Sequence, residues 1–438
     1  MHLPKIKNSD ELIKNYCHDK FMELYGKNAP EEMKARLDYE LSSIINHNFV
    51  VHYLIAKHIA DESRKMGYPV FTRGSVGSSF VALLLGFTGI NPLKPHYLCT
   101  NCKSIQFVSD VASGYDLPNK DCHICGAIMK GDGHNIPFET FAGLDGDKKP
   151  EIVLNVAAPI KEKAKELLQS LFPNDKIALA GTIRRINIFG KDATFWKSKG
   201  VYPGCFFIIP NEYSGDVITE LRKVGNAKVE VTKGDYHEIW DDFLKFDILE
   251  HSTSTLLVEL SKQTGVLLDS IPANDEKAFA LITAGENNCI VDFNSVFVKN
   301  MIEDCNPTCF SELCKISGLS HGTDVWNNNA EDLIFQSKAT IKEVLAFRDD
   351  VFEYLITIGA ERANAYKIME KVRKGKGLYE DDLKGYKLPN WFYESANKIK
   401  YMFPKAHAVS YVKMAMQLAW FKVNYHDLSE AEIKRLEK

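Results

Sequence analysis

Lys149-Pro150-Glu151-Ile152-Val153-Leu154-Asn155 is the stretch on which the reading of this chain turns. It reads as a strand, and alternate residues of a strand point to one face, so Glu151 and Val153 share a side. Two acids at that spacing would present two hard oxygen ligands to a divalent cation. Valine supplies none. A second segment of similar character, Lys245-Phe246-Asp247-Ile248-Leu249, carries one acid, Asp247.

Upstream, Met33, Leu37, Leu41 and Ile44 recur at helical spacing, and a second apolar stretch ends at Gly67, so residues 30–66 are expected to form two helices. Pro69-Val70-Phe71 is a short strand running into Thr72-Arg73-Gly74-Ser75-Val76-Gly77-Ser78-Ser79, ahead of an apolar helix from Phe80 to Leu85. A strand, a glycine-rich turn and a helix start form a phosphate cradle, because free amides converge on an anion and small residues let it approach. On pattern alone a purely structural turn fits equally well.

Four of the ten cysteines are arranged as Cys99-x-x-Cys102 and Cys122-x-x-Cys125. Each pair forms a tight turn that aims two thiolates at one ion, and together they complete a tetrahedral zinc site. With all four positions filled, such zinc is scaffolding and not chemistry. The residues between, Gly114, Pro118 and Asn119 among them, make no core of their own, as expected of a metal-stapled insert. Cys305, Cys309 and Cys314, with His321 downstream, lack paired turns and are read as ordinary thiols.

The chain has 438 residues, enough for two or three domains, with 45% hydrophobic and 26% charged residues. No apolar run suggests a membrane span, and the amino terminus has no signal-like apolar core, so a cytoplasmic protein is expected. A net charge of −4 exerts no general pull on nucleic acid, so any such surface is local. The basic stretch 362–405 is the candidate, although a solvated helical surface explains it as well. From about residue 255 the pattern becomes mainly helical.

Several long strings resemble the polymerase core of the PolC-type DNA polymerase III alpha subunit, a C-family bacterial replicative polymerase. They are Asp38 to Ser43, Thr72 to Phe80, Ile136 to Phe141, Ser317 to Trp326, Lys371 to Gly377 and Lys398 to Ala408. The resemblance covers the palm and fingers region, roughly residues 30–425. In that family the opening strand reads Pro-Asp-Ile-Asp-Leu-Asn, so its two metal-binding aspartates correspond to Glu151 and Val153, and the third matches Asp247. The family's Gly-Gln-His-Pro-Gly-Gly stretch stands here as Gly200-Val201-Tyr202-Pro203-Gly204-Cys205, with much of the preceding family sequence absent.

The resemblance implies an α+β fold. Residues 1–95 would form N-terminal helices and the first part of the palm, 96–134 a zinc-binding insert, 135–254 a reduced remainder of the palm, and 255–438 a helical fingers-like domain. It implies nucleotide or phosphate contacts from Arg73, Gly74, Ser75, Gly77, Ser78, Ser79, Lys405 and His407, and DNA contacts from Arg373, Lys374 and Lys376. Primer-template DNA, deoxynucleotides and replication proteins are the implied partners, with structural zinc and, more doubtfully given Val153, Mg²⁺. The leading expectation is a catalytically impaired homologue that still binds nucleotide or DNA. Two alternatives stay open: a working polymerase using Glu151 and Asp247, helped by Asp145, Asp147 or Asp241, and a non-enzymatic protein that offers only the fold's surface.

Overall fold

The computed structural model describes residues 2–187, 195–213, 219–224, 227–285, 289–379, 382 and 385–436. Three helices lead the chain: Ser9–Tyr25, Glu31–Asn46 and Val50–Lys65. Ile13, Cys17, Phe21 and Tyr25 on the first, and Met33, Leu37, Leu41 and Ile44 on the second, fall on one stripe each and are buried. These stripes share one core with Phe80, Phe138, Leu154, Phe246 and Ile248, so the helices cover one face of the sheet that follows.

That sheet has seven strands in the order Phe71–Arg73, Val153–Val156, Leu244–Glu250, Phe195–Ile209, Lys176–Asn187, Ala227–Thr232, Thr219–Val224. Val153–Val156 pairs antiparallel with the first strand and parallel with the third, and the third pairs antiparallel with Phe195–Ile209. The register sets Arg73, Val153, Asp247 and Cys205 side by side in one row. Ile152 and Leu154 point into the core, while Val153 is half-buried on the opposite face. One expectation needs correcting. The strand begins at Val153, leaving Glu151 exposed ahead of the ladder. Pro150 has no amide proton to give a neighbouring strand, and the Lys149 ammonium is drawn off to the Trp240 carbonyl at 2.6 Å.

A second sheet has four strands, in the order Ile105–Phe107, His96–Cys99, Ile128–Asp132, Lys120–Asp121. It packs Tyr97, Cys99, Leu117, Cys122 and Met129 into a small core of its own. Its base is drawn tight at a place where two glycines meet, since a Cβ on Gly131 would lie 2.1 Å from the Gly114 carbonyl oxygen. After Glu250 the described chain is helical and gathers round the helix Lys405–Asn424, which is buried along nearly its whole length. The fold is thus α+β: a mixed sheet carrying a cysteine-bearing insert, then a helical region. No helix among the described residues is long and apolar enough to cross a membrane.

Candidate functional site

The row across the sheet is the centre of the site. Asp247 is buried, and the Lys245 ammonium, two residues earlier on the same face, donates to its Oδ2 at 2.5 Å. Burial opposes charge on Lys245, but Asp247 outweighs it, and the ammonium is held above its ordinary range. The Lys245 Nζ also lies 4.6 Å from the Trp240 ring centroid. On the far side, burial first and the Asp247 charge second push the Cys205 thiol well up, so it stays neutral. Cys205 reaches this place through a bulge. The pairing of Lys176–Asn187 with Phe195–Ile209 slips between Leu179 and Ala180, where Gly204 takes a φ of 91° and a Cβ there would lie 2.4 Å from the Ile248 carbonyl oxygen.

Two-ion phosphoryl transfer needs carboxylates on neighbouring strands to hold both ions. In this row Val153 offers no oxygen, Glu151 stands outside the ladder, and one Asp247 oxygen is engaged by an ammonium. These residues do not fit such a pair of ions. Asp145, weighed as an extra ligand, instead lines a separate cavity of about 820 Å³ with Glu32, Arg36 and Glu139.

The glycine-rich turn divides into two halves. Arg73 is exposed at the end of its strand, Gly74 takes a φ of 77°, and the Gly74 amide donates to His407 Nδ1 at 3.2 Å. The helix carrying His407 is tied to the same strands: Ser410 Oγ donates to the Thr72 carbonyl at 2.8 Å, and Asn155 Nδ2 to Tyr411 Oη at 2.9 Å. His407 stacks on Tyr411 with centroids 4.3 Å apart. Burial lowers its pKa to about 4, so at neutral pH it is an uncharged imidazole whose Nδ1 accepts and whose Nε2 carries the proton. His321 and Asp292 complete this corner, 3.4 Å apart, with Ser317 Oγ donating to Asp292 Oδ2 at 2.9 Å.

The second half of the turn is closed to ligands. Ser78 is buried and bonded to Thr140 Oγ1 at 3.1 Å, and Gly77 is pressed against Ile90 and Ala406. Glu40, itself fully buried, accepts from Ser79 Oγ (2.8 Å), the Phe80 amide (3.0 Å) and the Val81 amide (3.1 Å), with Arg36 Nε 2.5 Å away. A protein carboxylate therefore occupies the helix start where a phosphate was expected. Of the six residues expected to contact phosphate in this turn, the structure leaves Arg73, Gly74 and Ser75 at the site and places Gly77, Ser78 and Ser79 in the interior.

Lys405 is also displaced from the expected group. Its ammonium sits 3.9 Å from Glu353 and faces a cavity of about 810 Å³ lined by His134, Asp350 and Cys314 as well. Of the expected DNA contacts, Arg373 and Lys374 both bind Glu370, the Arg373 Nη2 bond being 2.8 Å and the Lys374 pair 2.7 Å. Although burial favours its neutral form, these two cations pull the Glu370 carboxyl down to about 2. Lys376 is exposed on the turn between Gly375 and Gly377.

The four cysteines come together. Sγ distances of 3.5 Å separate Cys99 from Cys125 and Cys102 from Cys122, and all four sulfurs lie within 4.8 Å of one another. Four sulfurs each ~2.3 Å from a zinc ion would stand at about this separation, so the donors fit that metal. The two turns have the same build. Each ends in a residue with positive φ, Lys103 (61°) and Gly126 (72°), and closes with a 2.9 Å bond from the Lys103 amide to the Cys99 carbonyl or a 2.8 Å bond from the Gly126 amide to the Cys122 carbonyl. The Ala127 amide bonds Cys125 and brings its thiol to about 6, ready to ligate as thiolate.

Glu40, Lys245, Cys205 and Asp292 are site residues that sequence reasoning missed. Lys245 had a readable signal, since it lies two residues before Asp247 on a strand and must share its face. The others are brought in by tertiary contacts.

Two family models match the chain: the bacterial DNA polymerase III alpha NTPase domain over residues 11–194, and the bacterial DNA polymerase III alpha subunit finger domain over residues 248–387. The chain belongs to the PolC-type DNA polymerase III alpha family. It is 40% identical to the DNA polymerase III PolC-type of Thermotoga maritima, covering 97% of this chain and 35% of that protein. The like-named proteins of Bacillus subtilis (39% identical) and Pediococcus pentosaceus (41%) are covered to 33%, with 97% of this chain again included. The chain thus spans about a third of the length of the curated relatives it matches.

Proposed function

We propose that this chain binds deoxynucleotide or primer-template DNA in a cytoplasmic replication or repair role, through its relationship to PolC-type polymerases, and that it does not polymerise. One observation carries the reading: Val153 stands between Arg73 and Asp247 in the row where carboxylates would hold metal ions. Around that gap the anion-facing groups persist, with Arg73, the Gly74 turn and His407 in one corner. Lys376 and the Arg373–Lys374 pair add a basic edge suited to phosphates and not to base edges, so binding is independent of sequence and weakens with salt. Zinc in the four-cysteine insert holds that module folded.

Primer extension with Mg²⁺ and with Mn²⁺, alongside a salt titration of DNA binding, tests this reading. No extension, with binding that falls when Arg373, Lys374 and Lys376 are all changed to Ala, is the expected result. Robust extension abolished by Asp247→Ala would overturn it. Changing Glu151→Asp and Val153→Asp together asks whether ligands alone were lost.

A further inference from the structure

The four-cysteine insert does not stand apart from the helical region, because one short turn inside it reaches across. Cys102 and Cys122 bound a loop of 19 residues, 103–121, and within it lies the turn Gly114–Asp116. Leu117, the next residue, is buried with Cys99, Cys122 and Met129 in the insert's own small core, and Tyr97 Oη donates to the Pro118 carbonyl at 2.8 Å. Tyr115 and Asp116 engage the helical region instead. The Tyr115 ring packs edge-on against Phe310 with centroids 5.1 Å apart, and Asp116 Oδ1 accepts from the Ser311 amide at 2.9 Å. Asn274 adds a third contact by donating to the Leu117 carbonyl at 3.2 Å.

Ser311 lies in the first turn of the helix Phe310–His321, where amides have no partner within their own helix. The residue at its cap position, Cys309, supplies no side-chain bond. A carboxylate from the insert does so in its place, and negative charge there is also favoured by the helix dipole. We infer that the insert is a metal-dependent clamp on this helix. By gathering the cysteines, zinc sets the Gly114–Asp116 turn so that Asp116 caps the helix from across the chain, as a positioning residue for the element that ends in His321. A core of five side chains is too small to hold the loop by itself, so an insert without metal loses the turn and the cap together. Linkage runs both ways, and whatever the cap contributes appears in the metal affinity. The inference rests on zinc occupying the four-cysteine site, and it holds whether or not the chain binds DNA.

Asp116→Ala and Asp116→Asn in the full chain test the clamp, since asparagine keeps an acceptor oxygen as good at a cap as that of aspartate. Zinc affinity is read by competition with a chelator, and hydrogen exchange is resolved to the Ser311 amide. Asp116→Ala should bind zinc about fivefold more weakly, the equivalent of the ~1 kcal/mol an N-cap contributes, with Asp116→Asn within about twofold of wild type. The Ser311 amide should exchange about tenfold faster in zinc-loaded Asp116→Ala and in wild type stripped of zinc, and stay protected in zinc-loaded wild type and Asp116→Asn. Wild-type zinc affinity in Asp116→Ala, or a Ser311 amide that stays protected once zinc is removed, would overturn the clamp while leaving zinc in its site. A protein that binds no zinc would overturn the occupancy and the clamp together.

Discussion

Val153→Asp tests the geometry of the row most directly. The register places the new carboxylate beside Asp247 on a neighbouring parallel strand and beside Arg73 on the other flank. Strands lie ~4.8 Å apart, and two like charges about 5 Å apart at an effective dielectric constant of about 20 repel by roughly 3 kcal/mol. Arg73 is exposed, so water screens its attraction, and together with the Lys245 ammonium already paired to Asp247 it returns only part of this. The variant should be about 2 kcal/mol less stable than wild type in divalent-free buffer. With two carboxylates on adjacent strands it should also gain a Mn²⁺ site, and saturation to about 100 times the dissociation constant restores ~2.7 kcal/mol. Urea unfolding with and without Mn²⁺ measures both effects, with wild type unresponsive to the ion. A variant as stable as wild type without metal and indifferent to Mn²⁺ would refute the row as described.

The remaining tests probe separate parts of the molecule. About one equivalent of zinc should copurify with the protein, and Cys99→Ser with Cys122→Ser should abolish it and lower the melting temperature; elemental analysis and calorimetry check this. Glu40→Gln leaves the half-buried Arg36 and two amides without a charged acceptor, at a cost of about 3 kcal/mol by denaturant unfolding. Glu370 is held to about 2, so it binds fewer protons folded than unfolded. Its stabilisation is full above the ordinary carboxylate range and fades as pH falls towards 2, and Glu370→Gln should remove that pH dependence. By releasing Arg373 and Lys374, the same change should raise DNA affinity and steepen its salt dependence, as read by anisotropy.

How far the sequence spoke depended on the distance over which each feature is decided. The cysteine turns were readable because ligand spacing and turn geometry are local, and the opposed faces of Val153 and Leu154 followed from strand parity alone. The exact start of that strand did not, although Pro150 was a warning. That half of the glycine-rich turn lies in the interior was not legible, because the anion at its helix start, Glu40, lies on a helix 39 residues before Ser79 and no local pattern announces it. Lys405 and His407 were grouped by resemblance, yet two helical residues two positions apart point about 200° from each other. That phase alone separates the cavity lysine from the site histidine.

The sheet's last strand in the order, Thr219–Val224, has a bearing on how the protein behaves in concentrated solution. Outermost strands invite pairing with another chain, and Leu221 on this one is 67% exposed. Its neighbours Glu220 and Arg222 are ion-paired at 2.6 Å, Lys199 reaches Glu220 at 3.4 Å, and Lys223 is exposed. A second copy docking there would have to strip water from that charged cluster, which guards against self-association. Neutral substitutions at Glu220, Arg222 and Lys223 would therefore trade colloidal stability for nothing at the phosphate corner.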